Sequence, residues 1–260
     1  MTGPQPVSQA GLNHARRLLN RKFRGTAGEF LAEGPQAVRE ACRAGVTRQV
    51  LATATAANLH ADWLTDDFVR LSDDQARRLA DTEHSSGVFA VCAWREPSLD
   101  RVLDRDPQLI VVCAQIRDPG NLGTVIRSAD AFGADAVITT DASVDVTNPK
   151  TVRASVGSIF HLPIISHQDL SATVLAAKSR GMTCLAADAD GVDLNRLAAA
   201  GGLRRPVVWI MGNEAWGLPP ADRALADQVV SVPMWGQAES LNLAAASAVL
   251  LYATASVQHG

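Results

Sequence analysis

The chain has 260 residues, 47% hydrophobic and 20% charged, enough apolar material to bury a core and too much for a disordered chain. That length fits one large domain or two ordinary ones. The net charge of −3 hides an asymmetry: residues 1–48 carry eight Arg and Lys against three Glu, a local +5 that leaves −8 for the remainder.

Four cysteines (Cys42, Cys92, Cys113, Cys184) without CxxC spacing signal neither a disulfide framework nor a cysteine zinc site. The opening MTGPQPVSQAG lacks the basic-then-apolar order of a signal peptide. A reducing cytoplasm is therefore the expected compartment.

In chain order, a basic helix is predicted over about 8–21, then a glycine-containing loop at Arg24-Gly25-Thr26 and a short apolar piece, Glu29 to Ala32. Arg16, Arg17, Arg21, Lys22 and Arg24 crowd into nine residues, and such like charges repel unless a polyanion or nearby acids neutralise them. A solvated amphipathic helix with Leu12, Leu18 and Leu19 turned inward is the other reading of this segment. Gly34-Pro35 opens a helix to about Ala44, with Pro where its missing N–H costs nothing. Gln49 to Ala52 reads as a strand, 55–64 as a helix, Phe68 to Leu71 as a strand, and 72–81 as a helix capped by Ser72. Val88 to Trp94 is a buried strand by its continuous apolar run. Residues 1–95 thus form a small α/β domain, and the polar stretch 96–107, with prolines at both ends, is a linker.

From 108 to 260 the alternation strengthens. Strands are expected at Leu109–Cys113, Ala136–Thr139, Leu162–Ile165, Met182–Ala186, Pro206–Met211 and Gln228–Val232. Helices fall at 121–132, 149–154, 169–180 and 240–257. Apolar strands separated by helices imply a mostly parallel sheet covered on both faces. The uncharged stretch 241–257 is short for a bilayer and rich in Ala and Ser, so it is expected in an interior or a subunit contact rather than a membrane.

Ligands of open α/β sheets sit beyond the carboxyl ends of strands. Three post-strand segments have suitable composition: Gln115 to Gly123 entering a helix that carries Arg127, Met211 to Leu218, and Val232 to Asn242. Each combines glycines with short polar side chains near a helix start, and each alone is also compatible with an ordinary strand–turn–helix junction, Ser240 then being an N-cap. Other chemistries lack support. There is no GxxxxGK[ST], no GxSxG, no GxGxxG after a strand, and the six histidines (His14, His60, His84, His161, His167, His259) show no HExxH or paired spacing. No metal is expected.

The three segments, NLGTVIRSADAFGA (121–134), IMGNEAWGL (210–218) and VPMWGQAESLNLAAASAVLLY (232–252), resemble the three ordered motifs of the SpoU (TrmH-type) RNA ribose 2′-O-methyltransferases of the SPOUT superfamily. Residues 14–95, including FLAEGPQAVREA, resemble the L30e-like substrate-binding domain that often precedes them. The resemblance implies a trefoil-knotted α/β catalytic domain, a homodimer joined through the final helix and the Arg127 helix, and S-adenosylmethionine held in the knot. It carries cofactor contact onto Gly212, Val232, Leu241 and Ala187. Catalytic positions carried over are Arg127, Asn121, Glu214, Ser240 and Asn242, and Arg153 is expected near substrate phosphate.

Methyl transfer from a sulfonium to a ribose hydroxyl needs in-line placement more than covalent catalysis. Arg127 has been assigned as the base in the family. An arginine stays protonated, however, so a phosphate clamp or alkoxide stabiliser is an equally physical role. The expected function is 2′-O-methylation of structured RNA, 23S rRNA before tRNA, with Arg16, Arg17, Arg21, Lys22 and Arg24 gripping RNA. A non-catalytic RNA-binding assembly factor is the rival from another class, and a small-molecule methyltransferase a third reading.

Overall fold

The computed structural model describes residues 4–65, 67–82 and 85–260. His84 and the first three residues of the opening segment lie outside that set. Ser8 accepts the Gly11 amide and starts α1 (Gln9–Arg17), whose Leu12 and Ala15 are buried. The single helix expected over 8–21 is in fact two. Asn20 caps α2 (Arg21–Ala27) by accepting the amides of Lys22 and Phe23. Those bonds carry the helix through Gly25, and the turn falls instead at Gly28, which closes α2 with a left-handed φ of 62°.

Next come β1 (Glu29–Glu33), α3 (Pro35–Arg43), β2 (Thr47–Thr53), α4 (Ala54–Leu59), β3 (Val69–Leu71), α5 (Asp73–Leu79) and β4 (Val88–Ala93), close to their expected places. Ser72 caps α5 and Gln75 returns the bond, a capping box. The four strands form a sheet in the order β1-β4-β2-β3, antiparallel except for β2 beside β3. Leu12 and Leu18 from the helical layer join Leu31, Leu51 and Phe89 from the strands in one buried cluster.

The stretch 96–107 is not a plain linker. Ser98 caps α6 (Leu99–Leu103), and Val102 and Leu103 are buried in the core of the sheet that follows. Their spacing with Leu99 (i, i+3, i+4) supplies the apolar stripe that docks the helix.

Beyond α6 come β5 (Leu109–Cys113), α7 (Pro119–Ala131), β6 (Ala136–Thr140), α8 (Pro149–Ala154), β7 (Ile164–Gln168) and α9 (Leu170–Ser179). Then follow β8 (Thr183–Asp193), α10 (Leu194–Ala199), β9 (Val207–Met211), α11 (Pro220–Arg223), β10 (Gln228–Ser231) and α12 (Leu243–His259). The six strands lie in the order β10-β8-β9-β5-β6-β7, and every neighbouring pair is parallel. Chain order reverses at β5, where β6 leaves on one side and β9 fits on the other. Such a switch is where an open parallel sheet places its ligands.

By packing, the chain divides into Met1–Arg95 with Asp145–His161, and Glu96–Val144 with Leu162–Gly260. The sequence division kept 108–260 together, whereas α8 and its flanks group with the N-terminal residues. Arg24 gives the reason. It is only 4% exposed, and its guanidinium donates to Asp145, to Thr147 Oγ1 and to the carbonyls of Leu18 and Leu19. Phe160 also stacks on Phe30 with ring centroids 5.9 Å apart, and His161 pairs with Glu40 at 3.3 Å. Arg24 is therefore a structural residue, which corrects its placement among RNA-gripping arginines.

The uncharged stretch 241–257 lies mostly in α12, which buries Leu243, Ser247, Leu250, Leu251 and Thr254 against its own unit. Thr254 Oγ1 accepts the Trp209 indole N–H at 2.9 Å, tying α12 to β9. Among the described residues no helix is long and apolar enough to cross a membrane.

Candidate active site

Cys113 and Met211 end the adjacent strands β5 and β9 in register, so the chain leaving each strand emerges at one place on the sheet edge. After β5, Gln115 takes a left-handed conformation (φ 54°) and its carbonyl accepts Asn213 Nδ2 at 2.7 Å. Asp118 then caps α7 by accepting the Asn121 amide at 2.7 Å, with Pro119 following in the first turn. After β9, a Cβ at position 212 would lie 2.4 Å from the Gly217 carbonyl carbon. Only glycine lets the chain fold back so tightly there.

Glu214 joins these segments. Its carboxylate accepts the amides of Arg117 (3.2 Å) and Asp118 (3.1 Å) and the side-chain N–H of Asn121 (3.3 Å). The Asn121 oxygen in turn accepts Asn242 Nδ2 at 3.1 Å, and Asn242 Oδ1 caps α12 through the amides of Ala244 and Ala245. One chain of polar side chains thus links all three motif segments. It also shows that α12 begins at Leu243, later than the expected 240, and that its cap is Asn242 rather than Ser240. Ser240 is instead an exposed residue on the wall of a cavity.

That cavity has a volume of about 360 Å³. Ala187, Gly212, Val232 and Leu241, drawn from three separate segments, all line it. Among the described residues its wall carries three carboxylates, Asp188, Glu214 and Glu239, and no Lys or Arg. An apolar cleft edged by acids favours a cationic organic ligand over a phosphate. Beneath it, burial and then the charge of Glu214 push the Cys113 thiol up to about 12, so this cysteine is no nucleophile at neutral pH.

The arginines sort differently from expectation. Arg127 is exposed in the third turn of α7, makes no hydrogen bond or ion pair within the described residues, and does not line the cavity. It follows Asn121 by six residues, about 120° around the helix, so the two leave different faces. Arg153 is held by Asp81 at 2.9 Å and Glu33 at 3.6 Å, which competes with any phosphate. Arg16, Arg17, Arg21 and Lys22 remain exposed on α1 and α2, with Arg17 lying over the Phe23 ring at 3.8 Å.

Several residues at the site were not singled out from the sequence, Glu239 and Asn213 among them. Asp188 lines the cavity and pairs with Arg223 at 3.3 Å. Trp216 also lines the cavity, and Arg117 lies over its ring. Trp216 lies within the second motif, Arg117 within the segment leading into the first, and Asp188 next to Ala187, but nothing in the sequence assigns a role to any of the three.

Comparison with known proteins fits this geometry. Residues 108–252 match the SpoU rRNA Methylase family and residues 12–90 the MRM3-like substrate binding domain. The chain is 32% identical over 240 residues to the 23S rRNA (guanosine(2553)-2′-O)-methyltransferase RlmP of Bacillus subtilis, covering 91% of this chain and 92% of that protein. It is also 32% identical over 250 residues to a 23S rRNA (uridine(2479)-2′-O)-methyltransferase of Streptomyces viridochromogenes, covering 90% of this chain and 84% of the relative. Among solved structures, the SpoU methyltransferase AviRb from Streptomyces viridochromogenes in complex with AdoMet superposes with a TM-score of 0.80 at 30% identity, covering 95% of this chain and 98% of that one. The AdoMet-bound rRNA methyltransferase from Sinorhizobium meliloti gives 0.81 at 27% identity, covering 96% of each.

Proposed function

The chain belongs to the SpoU rRNA Methylase family, and from that premise we propose that it transfers a methyl group from S-adenosylmethionine to a ribose 2′-hydroxyl of 23S rRNA. The observation that carries this reading is the cavity at the β5–β9 edge, lined by all four carried-over cofactor positions, with Asp188, Glu214 and Glu239 as its charged lining residues among those described. That donor set fits a ligand whose sulfonium and ammonium are both positive. When bound, S-adenosylmethionine supplies an electrophilic methyl.

The chain supplies placement. Backbone groups around Ala187, Gly212, Val232 and Leu241 hold the cofactor. Glu214, with its oxygens already taken by three donors, fixes the Arg117–Asn121 turn against Asn242. Glu214, Asn121 and Asn242 are thus positioning residues, and Ser240 on the wall is free to bond the substrate. Arg127, exposed and without a partner among the described residues, forks onto the phosphate beside the target ribose or steadies the forming alkoxide. A permanently protonated guanidinium suits either task better than that of a base. Arg16, Arg17, Arg21 and Lys22 supply the sequence-independent grip on RNA.

We further take the catalytic unit to be knotted, the enzyme to be a dimer through α7 and α12, and its compartment to be the cytoplasm. Exposed Val249 and Tyr252 on α12, with Tyr252 edge-on to Phe132 at 5.7 Å, support the dimer face. Light scattering showing a monomer at micromolar concentration would contradict it. For the function, ribose methylation is mapped in rRNA and tRNA from wild-type and deletion cells. Loss of one 23S ribose methyl group is expected on deletion, restored in vitro by purified protein and S-adenosylmethionine. A change confined to tRNA, or none, overturns the assignment.

A further inference from the structure

Trp216 stands on a turn that has little freedom to move. Asn213 and Gly217 exchange backbone hydrogen bonds at 3.0 and 2.9 Å, and Gly217 adopts φ 65° to close the loop between them. The Asn213 side chain, only 5% exposed, ties this turn inward by donating to Gln115 O and outward by accepting the Ala215 amide at 2.8 Å. The turn fixes the backbone from which the indole projects, and Trp216 is 50% exposed while lining the cavity. The Arg117 guanidinium sits 5.1 Å from its ring centroid, while the Arg117 amide is held by Glu214. That guanidinium has no ion pair among the described residues.

A half-exposed indole on a hydrogen-bonded turn, with a cation over it at the rim of the methyl-donor cavity, has the composition of a stacking platform for nucleic acid. The reaction sets the distance requirement. The target 2′-hydroxyl must reach the cavity, and its nucleotide, or the one beside it, then has to leave the regular stack of an A-form helix. Proteins that read RNA in this way receive the unstacked base on an aromatic face and an arginine plane.

We propose that Trp216 receives an unstacked nucleobase of the substrate RNA at the cavity rim, and that Arg117 holds the phosphate next to that base. This rests on the reading of the chain as an RNA methyltransferase. Stacking is sequence-tolerant, so the pair fixes how the strand lies rather than which base is chosen. Arg117 is a suitable partner because its backbone is anchored by the same Glu214 that anchors Asn121. Base platform and motif segments are thereby held in one register.

The test compares Trp216→Ala, Trp216→Phe and Arg117→Ala in the full-length protein. It reads the KM for 23S rRNA from deletion cells, the Kd for short single-stranded oligoadenylate, and the Kd for S-adenosylmethionine by calorimetry. Trp216→Ala should raise the two RNA constants about tenfold or more, with most of the loss recovered by Trp216→Phe. S-adenosylmethionine affinity should move much less. Arg117→Ala should lower the salt slope of RNA binding by about one contact. Oligoadenylate should quench wild-type indole fluorescence more than that of Trp216→Phe, a readout that survives if the Ala variant folds poorly. If Trp216→Ala weakens S-adenosylmethionine while the RNA constants stay put, the indole is a cofactor wall and the proposal fails. It fails equally if neither constant moves or if only the oligomeric state changes. These outcomes differ from failure of the methyltransferase reading itself, in which the wild-type protein would transfer no methyl group to rRNA.

Discussion

In the N-terminal unit the guanidinium of Arg24 is buried among Asp145, Thr147 and two carbonyls, whereas on α7 of the second unit Arg127 is exposed and meets no partner among the described residues. Both lie in arginine-bearing segments that a polyanion could recognise. Their surroundings decide otherwise. Where a guanidinium has exchanged water for a carboxylate, a hydroxyl and carbonyls, its donors are committed to the fold. Where it has no partner, the same group is ready for a ligand. Exposure and pairing, rather than residue type, therefore separate the arginines that hold this protein together from those that can hold RNA.

The largest effect is expected at the unpartnered arginine. Arg127→Ala should lower single-turnover methyl transfer by about 10²–10³-fold, with S-adenosylmethionine affinity nearly unchanged because Arg127 does not line the cavity. Arg127→Lys should be severely impaired as well, since an ammonium keeps the charge but loses the planar two-point clamp. A nearly wild-type Lys variant, or an Ala variant inactive only because its dimer dissociates, would dissolve the contrast with Arg24.

Arg24→Met is expected to act on stability instead, costing about 3 kcal/mol by leaving Asp145 without its partner. Burial alone would raise the Asp145 carboxyl, but hydrogen bonds from Thr147 and Arg24 and the guanidinium charge outweigh it and hold the group below its ordinary value. A depressed carboxylate stabilises the fold fully above the ordinary carboxylate range and loses that contribution as pH falls through its lowered value. Acid unfolding of Arg24→Met should accordingly begin at higher pH than in the wild type, followed by circular dichroism. Equal stability of the two proteins near neutral pH, where the contribution is fully present, would mean the pair contributes nothing.

Reversing the exposed Arg16, Arg17 and Arg21 to Glu should weaken RNA binding and flatten its salt dependence by up to about 0.9 per lost duplex phosphate contact. S-adenosylmethionine affinity should hold. An identical salt slope moves the RNA surface elsewhere. The smallest effect is expected for Glu214→Gln, which keeps an acceptor but gives up charge-assisted bonds to the Arg117 and Asp118 amides. A stability loss of about 1–2 kcal/mol and a fall in kcat larger than any change in KM for rRNA would mark it as a positioning residue. A pure KM effect would not.

Much of the architecture was legible because it rests on local pattern. Short apolar runs rich in β-branched residues, such as Leu109–Cys113 and Val207–Met211, read as buried strands, and Ser72 marks a helix start. The motif segments were legible as compositions, but the bond chain from Glu214 through Asn121 to Asn242 was not. It joins positions 93 and 121 residues apart, and only the strand order brings them together. Gly25 read as a break because glycine weakens helices, yet the caps at Asn20 and Gly28 decided the boundary. The stretch 96–107 read as a linker because its prolines and charges hid the three-residue apolar stripe of α6. Arg24 read as a ligand for RNA because nothing near it in sequence foretells Asp145.

The Arg24–Asp145 pair also sets an order of events during synthesis. Residues 1–95 leave the ribosome before the segment that covers Phe30 and neutralises Arg24, which lies at 145–161 and emerges only after β5, α7 and β6 have been made. At roughly 5–20 residues per second the N-terminal unit waits several seconds with an arginine unpaired and an aromatic face uncovered. Nascent chains stalled before Asp145 should be cut readily by protease within residues 1–95, and chains stalled well beyond His161 should resist. The N-terminal unit thus cannot be completed until residue 161 has emerged, by which time the second unit is already partly made.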